Sequence, residues 1–300
     1  MTIIDAHHHL WDLSVRDQDW ITGPAMAPIA RSFGLDDLRP LAEAAGVSAT
    51  ILVQTVTVAE ETPEMLALAA SDPLVAGVVG WTDLTAPDIA DTLARLRALP
   101  GGDRLVGVRH QVQGEPDPDW LRRPDVLRGL RAVADAGLVH DLVVLPHQLP
   151  AAVHAASAVP ELTFVLDHAG KPPIAGARPG DGLREAWEAG VRALAARPNA
   201  VCKLSGLVTE AAPGATQGDF TPFARVILDA FGPGRIMFGS DWPVCLLAAG
   251  YPDVLDLAAA LVAGLDEAER AAVFADTAAR VYLADVPGRL GLTGGTRGTH

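Results

Sequence analysis

The feature that most constrains this chain is an alternation repeated along nearly its whole length, in which short apolar, β-branched runs are separated by longer Ala/Leu/Arg/Glu segments with helical spacing. The runs are "TIIDAHH" (2–8), "ATILVQT" (49–55), "VAGVVGW" (75–81), "LVGVRHQ" (105–111), "LVHDLVV" (138–144), "LTFVLDH" (162–168), "AVCKLSG" (200–206) and "RIMFGSD" (235–241), eight in all. Helix candidates fall between them at 36–45, 60–71, 87–99, 124–136, 148–158, 183–196 and 220–231, then at 253–263 and 266–283. Several open with Asp, Pro or Thr and close near Gly, as capped helices do. Strands that are apolar almost throughout belong in a parallel sheet covered on both faces. Eight such units in about 280 residues predict an α/β fold, a distorted (β/α)8 TIM barrel forming a single domain over 1–285. A doubly wound open sheet is the alternative, but no glycine-rich phosphate turn follows the first strand to support it. The Gly/Thr-rich stretch 286–300 is expected to be a flexible C-terminal tail.

Composition narrows the partners. A hydrophobic fraction of 49% in 300 residues supports one large core. The formal charge of −14 argues against nucleic acid and against an anionic membrane surface. No basic leader and no window of about 18 uncharged apolar residues is visible, so a soluble cytoplasmic protein is expected. Cys202 and Cys245 are too few for a disulfide framework and are read as reduced thiols. Barrels of this size often pair, which makes a homodimer the expected assembly.

In barrel enzymes the chemistry sits at the C-terminal ends of the strands. Polar residues gather there in this chain: His7 and His9 after the first run, Gln54 after the second, Trp81 and Asp83 after the third, and Arg109 and His110 after the fourth. His140 and Asp141 mark the fifth, Asp167 and His168 the sixth, Lys203 and Ser205 the seventh, and Asp241 the eighth. Of nine histidines, six (His7, His8, His9, His110, His140 and His168) lie at these ends. Because side chains alternate along a strand, His7 and His9 leave one face together and point into the barrel mouth, while His8 faces the helices. Two imidazoles so placed ligate one metal ion or hydrogen-bond one substrate oxygen. Asp241 becomes their neighbour when the barrel closes and is read as a general base or a metal ligand, against the blander reading of a helix N-cap. His168 binds a metal, polarises a carbonyl or satisfies a loop. Arg109 offers a planar fork to a carboxylate or hydroxyl, or serves in a structural ion pair. The chain's two lysines, Lys171 and Lys203, both fall in strand-end motifs.

Five ordered motifs, "DAHHHLW", "GVRHQVQGEPDPDWL", "LDHAGKP", "KLSGL" and "FGSDWPV", resemble the amidohydrolase superfamily, in particular its sugar-lactone and related lactone hydrolases. The likeness spans residues 3–284. It implies a (β/α)8 barrel that hydrolyses an ester or lactone bond, with Asp241 activating water and His168, His7 and His9 lining the site. It also implies that Arg109, His110 and Trp242 meet the substrate, and we add Gln54 and Lys171 to that substrate-binding set. The chain departs from binuclear members, whose bridging carboxylated lysine comes from the fourth strand; "LVGVRHQ" has no lysine, which disfavours such a site.

Two forms of the site stay open. In one, a single divalent ion, zinc, is held by His7, His9 and Asp241 with His140 or His168 as a further imidazole. In the other, catalysis is metal-free, with Asp241 as base and the imidazoles and Arg109 as donors. The reaction expected is attack of Asp241-activated water on a sugar-lactone carbonyl, giving a hydroxy acid. A zinc-dependent decarboxylase of aromatic acids is the enzymatic alternative, and a non-catalytic ligand-binding barrel the other. The loops 14–34 and 207–222 are expected to wall the mouth and set specificity.

Overall fold

The computed structural model describes residues 2–176 and 182–284. Eight parallel strands follow in sequence order around one sheet: β1 (Ile3–His8), β2 (Val47–Val53), β3 (Val75–Gly80), β4 (Leu105–His110), β5 (Val139–Leu142), β6 (Phe164–Leu166), β7 (Ala200–Leu204) and β8 (Ile236–Phe238). Helices α1 (Leu35–Ala44), α2 (Glu61–Ser71), α3 (Ile89–Arg97), α4 (Pro124–Asp135), α5 (Leu149–Ala158), α6 (Leu183–Ala195), α7 (Gln217–Phe231) and α8 (Tyr251–Leu261) form the outer layer. Two short helices, α9 (Glu267–Ala271) and α10 (Thr277–Tyr282), joined by a π turn over Ala272–Asp276, end the described chain. This is the (β/α)8 barrel expected from the alternation. The stretch read as a loose tail lies outside the described residues.

The helix starts follow local chemistry. At α7 the Thr216 N–H donates to Asp219 Oδ2 (2.7 Å), which begins the helix three residues before the apolar periodicity does. At α9, Asp266 Oδ1 accepts from Glu269 N–H (2.8 Å) while Glu269 Oε2 accepts from Asp266 N–H (3.0 Å), a reciprocal capping box.

Closure between the first and last strands runs through residues just beyond β8. The His9 N–H donates to the Trp242 carbonyl (2.7 Å) and the Asp241 N–H to the His7 carbonyl (2.8 Å). Buried Asp5 clasps the seam from behind, accepting from Ser240 N–H (2.8 Å) and Tyr251 O–H (3.0 Å). Inside the barrel Ile4, Ile51, Val53, Val79, Val106, Val139, Val165, Val201 and Met237 pack together, and Ala278, Tyr282 and Leu283 of the C-terminal segment join this cluster to plug the end where the strands begin. The larger apolar layer lies between strands and helices. The strand pairing of β1 with β2 is irregular between Asp5 and His8. That irregularity lets both Ile4 and His7 reach the interior although they are three residues apart, as a bulge does.

Candidate active site

His7, His9 and Asp241 converge at the C-terminal mouth, their ligand-type atoms within 4.8 Å of one another. His7 Nε2 lies 3.1 Å from His9 Nε2, and Asp241 Oδ1 lies 3.5 Å from His9 Nε2 and 3.8 Å from His7 Nε2. His168 Nε2 adds a third imidazole 3.9 Å from the same oxygen. All four side chains are buried.

Two left-handed turns aim these groups. Sequence periodicity extends the sixth and eighth strands to residues 168 and 241, but the chain leaves each strand earlier. His168 (φ 51°), Ala169 (φ 55°) and Lys171 (φ 52°) take the left-handed region, as does Asp241 (φ 57°). Each non-glycine residue so placed costs roughly 1–2 kcal/mol, which the surrounding structure must hold. Buried Trp187 contributes by donating its Nε1–H to the Ala169 carbonyl (2.9 Å). The motif glycines give room: a Cβ on Gly206, itself at φ 64°, would lie 2.4 Å from His168 Nδ1, and one on Gly239 would lie 2.6 Å from His7 Cβ.

The electrostatics favour an ionised Asp241 and keep the buried His7 and His168 rings neutral near pH 7. Burial pushes the Asp241 carboxyl up, but His168, His9 and Lys171 outweigh it and hold its pKa below the ordinary range. Burial pushes His168 down to about 4 against the pull of Asp241 and Asp167, and lowers His7 well below its usual value. The donor set also fits a metal. His9 Nδ1–H donates to the Val53 carbonyl (2.7 Å), which fixes its tautomer and turns the Nε2 lone pair into the site, the support a ligating histidine requires. Two imidazole nitrogens and a carboxylate oxygen suit a divalent ion such as zinc and leave an open position.

Other residues read from the sequence as site residues are placed differently. His140 is fully buried in β5 beside Asp141, but on the opposite face; its ring meets Phe164 edge-on (6.0 Å) in the outer layer, so it cannot join His7 and His9 on an ion. Arg109 and Gln54 satisfy each other below the mouth. The guanidinium donates to Gln54 Oε1 (2.9 Å from Nη2), the Gln54 carbonyl (2.6 Å) and Asp167 Oδ2 (2.9 Å), and its remaining Nη1 direction faces His7 Nε2 (3.3 Å). The donors of Arg109 are thus directed at protein atoms. Trp242 is turned away from the mouth against Phe33 (5.3 Å between rings) and is 1% exposed. It anchors the β1–α1 loop, whose Trp11 and Phe33 pair through their backbones.

His110 and Lys171 do reach the rim. His110 stacks on Trp120 (4.2 Å, 7°), accepts from Trp81 Nε1–H (3.1 Å) and donates to Glu115 Oε1 (2.7 Å). On the other side Lys171 pairs with Glu210 (3.1 Å), both partly exposed. His8 turns outward to Thr50 Oγ1 (3.0 Å).

Beneath the mouth lies a buried ionic layer that the strand-end reading located but did not assign a role. Lys203 Nζ meets Asp141 Oδ2 (2.5 Å), Asp167 Oδ1 (3.0 Å) and His7 Nδ1 (3.1 Å), and Tyr282 O–H donates to Asp141 from below (2.9 Å). Lys203 and Arg109, with His7, hold the Asp167 carboxyl well below the carboxylate range despite its burial. The presence of Lys203 as one of two lysines was the sequence signal for this layer.

Comparison with known proteins places the chain. The amidohydrolase family pattern matches residues 4–283. The L-fucono-1,5-lactonase of Burkholderia multivorans is 41% identical over 291 residues, covering 95% of this chain and 97% of that protein. The L-fucono-1,5-lactonase of Burkholderia ambifaria is 40% identical over 250 residues, 83% of each chain. A crystal structure of an amidohydrolase from Burkholderia multivorans with bound zinc superposes with a TM-score of 0.86 at 41% identity, covering 94% of this chain and 99% of that one.

Proposed function

The chain belongs to the amidohydrolase family and is a lactone hydrolase, and on that premise we propose that it opens a sugar 1,5-lactone to its hydroxy acid with Asp241 as general base. The observation that carries the reading is the setting of Asp241: an ionised carboxylate on a left-handed residue, with three imidazole Nε2 atoms between 3.5 and 3.9 Å of one oxygen. The names of the Burkholderia relatives support the substrate class.

Asp241 takes a proton from water as the water oxygen bonds to the lactone carbonyl carbon. The carbonyl π pair moves to oxygen, and this oxyanion is met by His168 Nε2 and the positive potential of Lys171. When the tetrahedral centre collapses, the bond to the ring oxygen breaks and that oxygen leaves as an alcohol with the proton Asp241 had accepted. The new carboxylic acid then ionises. A divalent ion held by His7, His9 and Asp241, zinc in our reading, would supply Lewis-acid polarisation of the carbonyl. His110 with Glu115 on one rim, and Lys171 with Glu210 on the other, present polar groups suited to ring hydroxyls.

No helix among the described residues is long and apolar enough to cross a membrane. We place the enzyme in the cytoplasm, in keeping with its buried free thiols at Cys202 and Cys245, and expect it to pair as a homodimer.

Hydrolysis of a panel of sugar 1,4- and 1,5-lactones, followed with a pH indicator on chelator-treated protein with and without zinc, tests this. Turnover of a 1,5-lactone is expected, and folded protein inactive on every lactone overturns it. Activity surviving chelation assigns catalysis to Asp241 and the protein donors alone; activity restored by zinc assigns the ion a part.

A further inference from the structure

The contacts around His7 determine where its proton sits. A backbone carbonyl only accepts, so the Val53 carbonyl (2.7 Å) keeps the His9 proton on Nδ1 and leaves a lone pair on His9 Nε2. His7 Nε2 lies 3.1 Å from that lone pair. Two lone pairs face each other at this distance only across a cation, so whenever no cation lies between them the proton of His7 belongs on Nε2. Lys203 completes the same direction: an ammonium only donates, and it lies 3.1 Å from His7 Nδ1. The hydrogen bonds therefore run from Lys203 through His7 and His9 to Val53.

Two other groups at His7 favour the opposite arrangement. Asp167 Oδ1 lies 3.3 Å from Nδ1, is buried, and beyond its ion pair with Lys203 (3.0 Å) keeps a lone pair free to accept from His7. A carboxylate only accepts, so this oxygen is matched to a proton on Nδ1. Arg109 Nη1, 3.3 Å from Nε2, is matched to a lone pair there. That alternative tautomer is the one able to ligate through Nε2.

We propose that Lys203 and Asp167 are opposing positioning residues for the His7 tautomer, Lys203 holding the metal-free form and Asp167 the metal-ligating form. A ligated His7 then carries its imidazole proton on Nδ1 rather than Nε2 and donates it in a hydrogen bond to Asp167 Oδ1, with no net proton lost from His7. Lys203 is held meanwhile by Asp141, itself braced by Tyr282. The inference rests on His7, His9 and Asp241 as the ligand set, but not on the lactone reaction.

Long-range 1H–15N spectra of metal-free, histidine-labelled protein, with His7 assigned by its loss in His7→Asn, report the tautomer directly. Zinc competition against a chromophoric chelator reports the balance in wild type, in Lys203→Met/Asp141→Asn and in Asp167→Asn. The double variant removes one buried charge of each sign and leaves Asp167, which loses Lys203, its ion pair with Arg109 (2.9 Å). Expected are a His7 proton on Nε2 in the metal-free wild type, zinc binding at least ~10-fold tighter in the double variant, and binding at least ~10-fold weaker in Asp167→Asn. A metal-free His7 protonated on Nδ1, or a double variant that binds zinc no more tightly than wild type, overturns the proposal. A merely structural role for Lys203 would weaken binding instead. Should the double variant fail to fold, the wild-type spectrum decides alone; should wild type take up no zinc, the ligand set fails while the spectrum still judges the tautomer.

Discussion

Two pairs of neighbouring residues, His7 with His8 on β1 and His140 with Asp141 on β5, show how one step along a strand changes what a buried polar group does. His7 points inward, where each ring nitrogen faces a polar partner and Asp241 closes the cluster. His8 points outward with one nitrogen on Thr50 and the other unpartnered among the described residues. Asp141 points inward to Lys203 and Tyr282, whereas neither nitrogen of His140 has a partner among the described residues. Burial is alike on both faces. The barrel interior gathers polar groups because other strands deliver partners there, while the outer layer gives His8 only Thr50 and leaves His140 among apolar side chains.

The strongest test of the inward set is Asp241→Asn, which keeps shape and removes the base. We expect kcat on a 1,5-lactone to fall at least about 100-fold with the thermal midpoint nearly unchanged. Turnover within threefold of wild type would remove Asp241 from the reaction and dissolve the contrast between the faces. Next in size is His9→Asn. Loss of a ligand should weaken zinc binding by more than the ~10–100-fold that follows loss of a supporting hydrogen bond, as read by chelator competition.

The outward partner on the same strand provides the contrast. His8→Asn should leave kcat and KM within about twofold, with a stability loss near 1 kcal/mol from the Thr50 hydrogen bond, measured by urea unfolding. A large loss of activity with normal folding would mean that His8 reaches the mouth after all.

The comparison also explains what could be read from the sequence. Continuous apolar runs and capped helices reveal the barrel because parallel strands buried on both faces have few other arrangements. The convergence of His7, His9 and Asp241 follows from alternation plus closure of the first strand on the last. In "LVHDLVV" two polar residues are adjacent, so alternation says that one faces inward but only the register against β4 and β6 says which. Arg109 and Gln54 stand at strand ends as a substrate grip would, yet strand-end position does not reveal that each is the other's partner across 55 residues. Trp242 follows Asp241, and the left-handed turn at Asp241 carries it toward Phe33, a bend that periodicity does not encode. Tyr282 reaches Asp141 from the last helix, a pairing set by tertiary closure alone.

The smallest effect on activity is expected at His140, where the outer face leaves a signature in acid stability instead. Burial pushes its pKa from 6.5 down to about 3. Above pH 6.5 the imidazole is neutral in both folded and unfolded chains and has no linkage to pH. Between pH 6.5 and about 3 the unfolded chain binds a proton that the folded one refuses, so stability falls as pH falls, by up to about 1.4 kcal/mol per pH unit. His140→Leu, close in volume and without a titrating group, removes that term. Taking the difference between unfolding free energies at pH 7 and pH 5 cancels the change in packing, and the variant should lose about 2 kcal/mol less than wild type over that interval, with kcat unchanged at pH 7. An identical acid loss in both proteins would mean that the folded protein protonates His140 freely, and the outer layer would then not be the dry environment that separates it from Asp141.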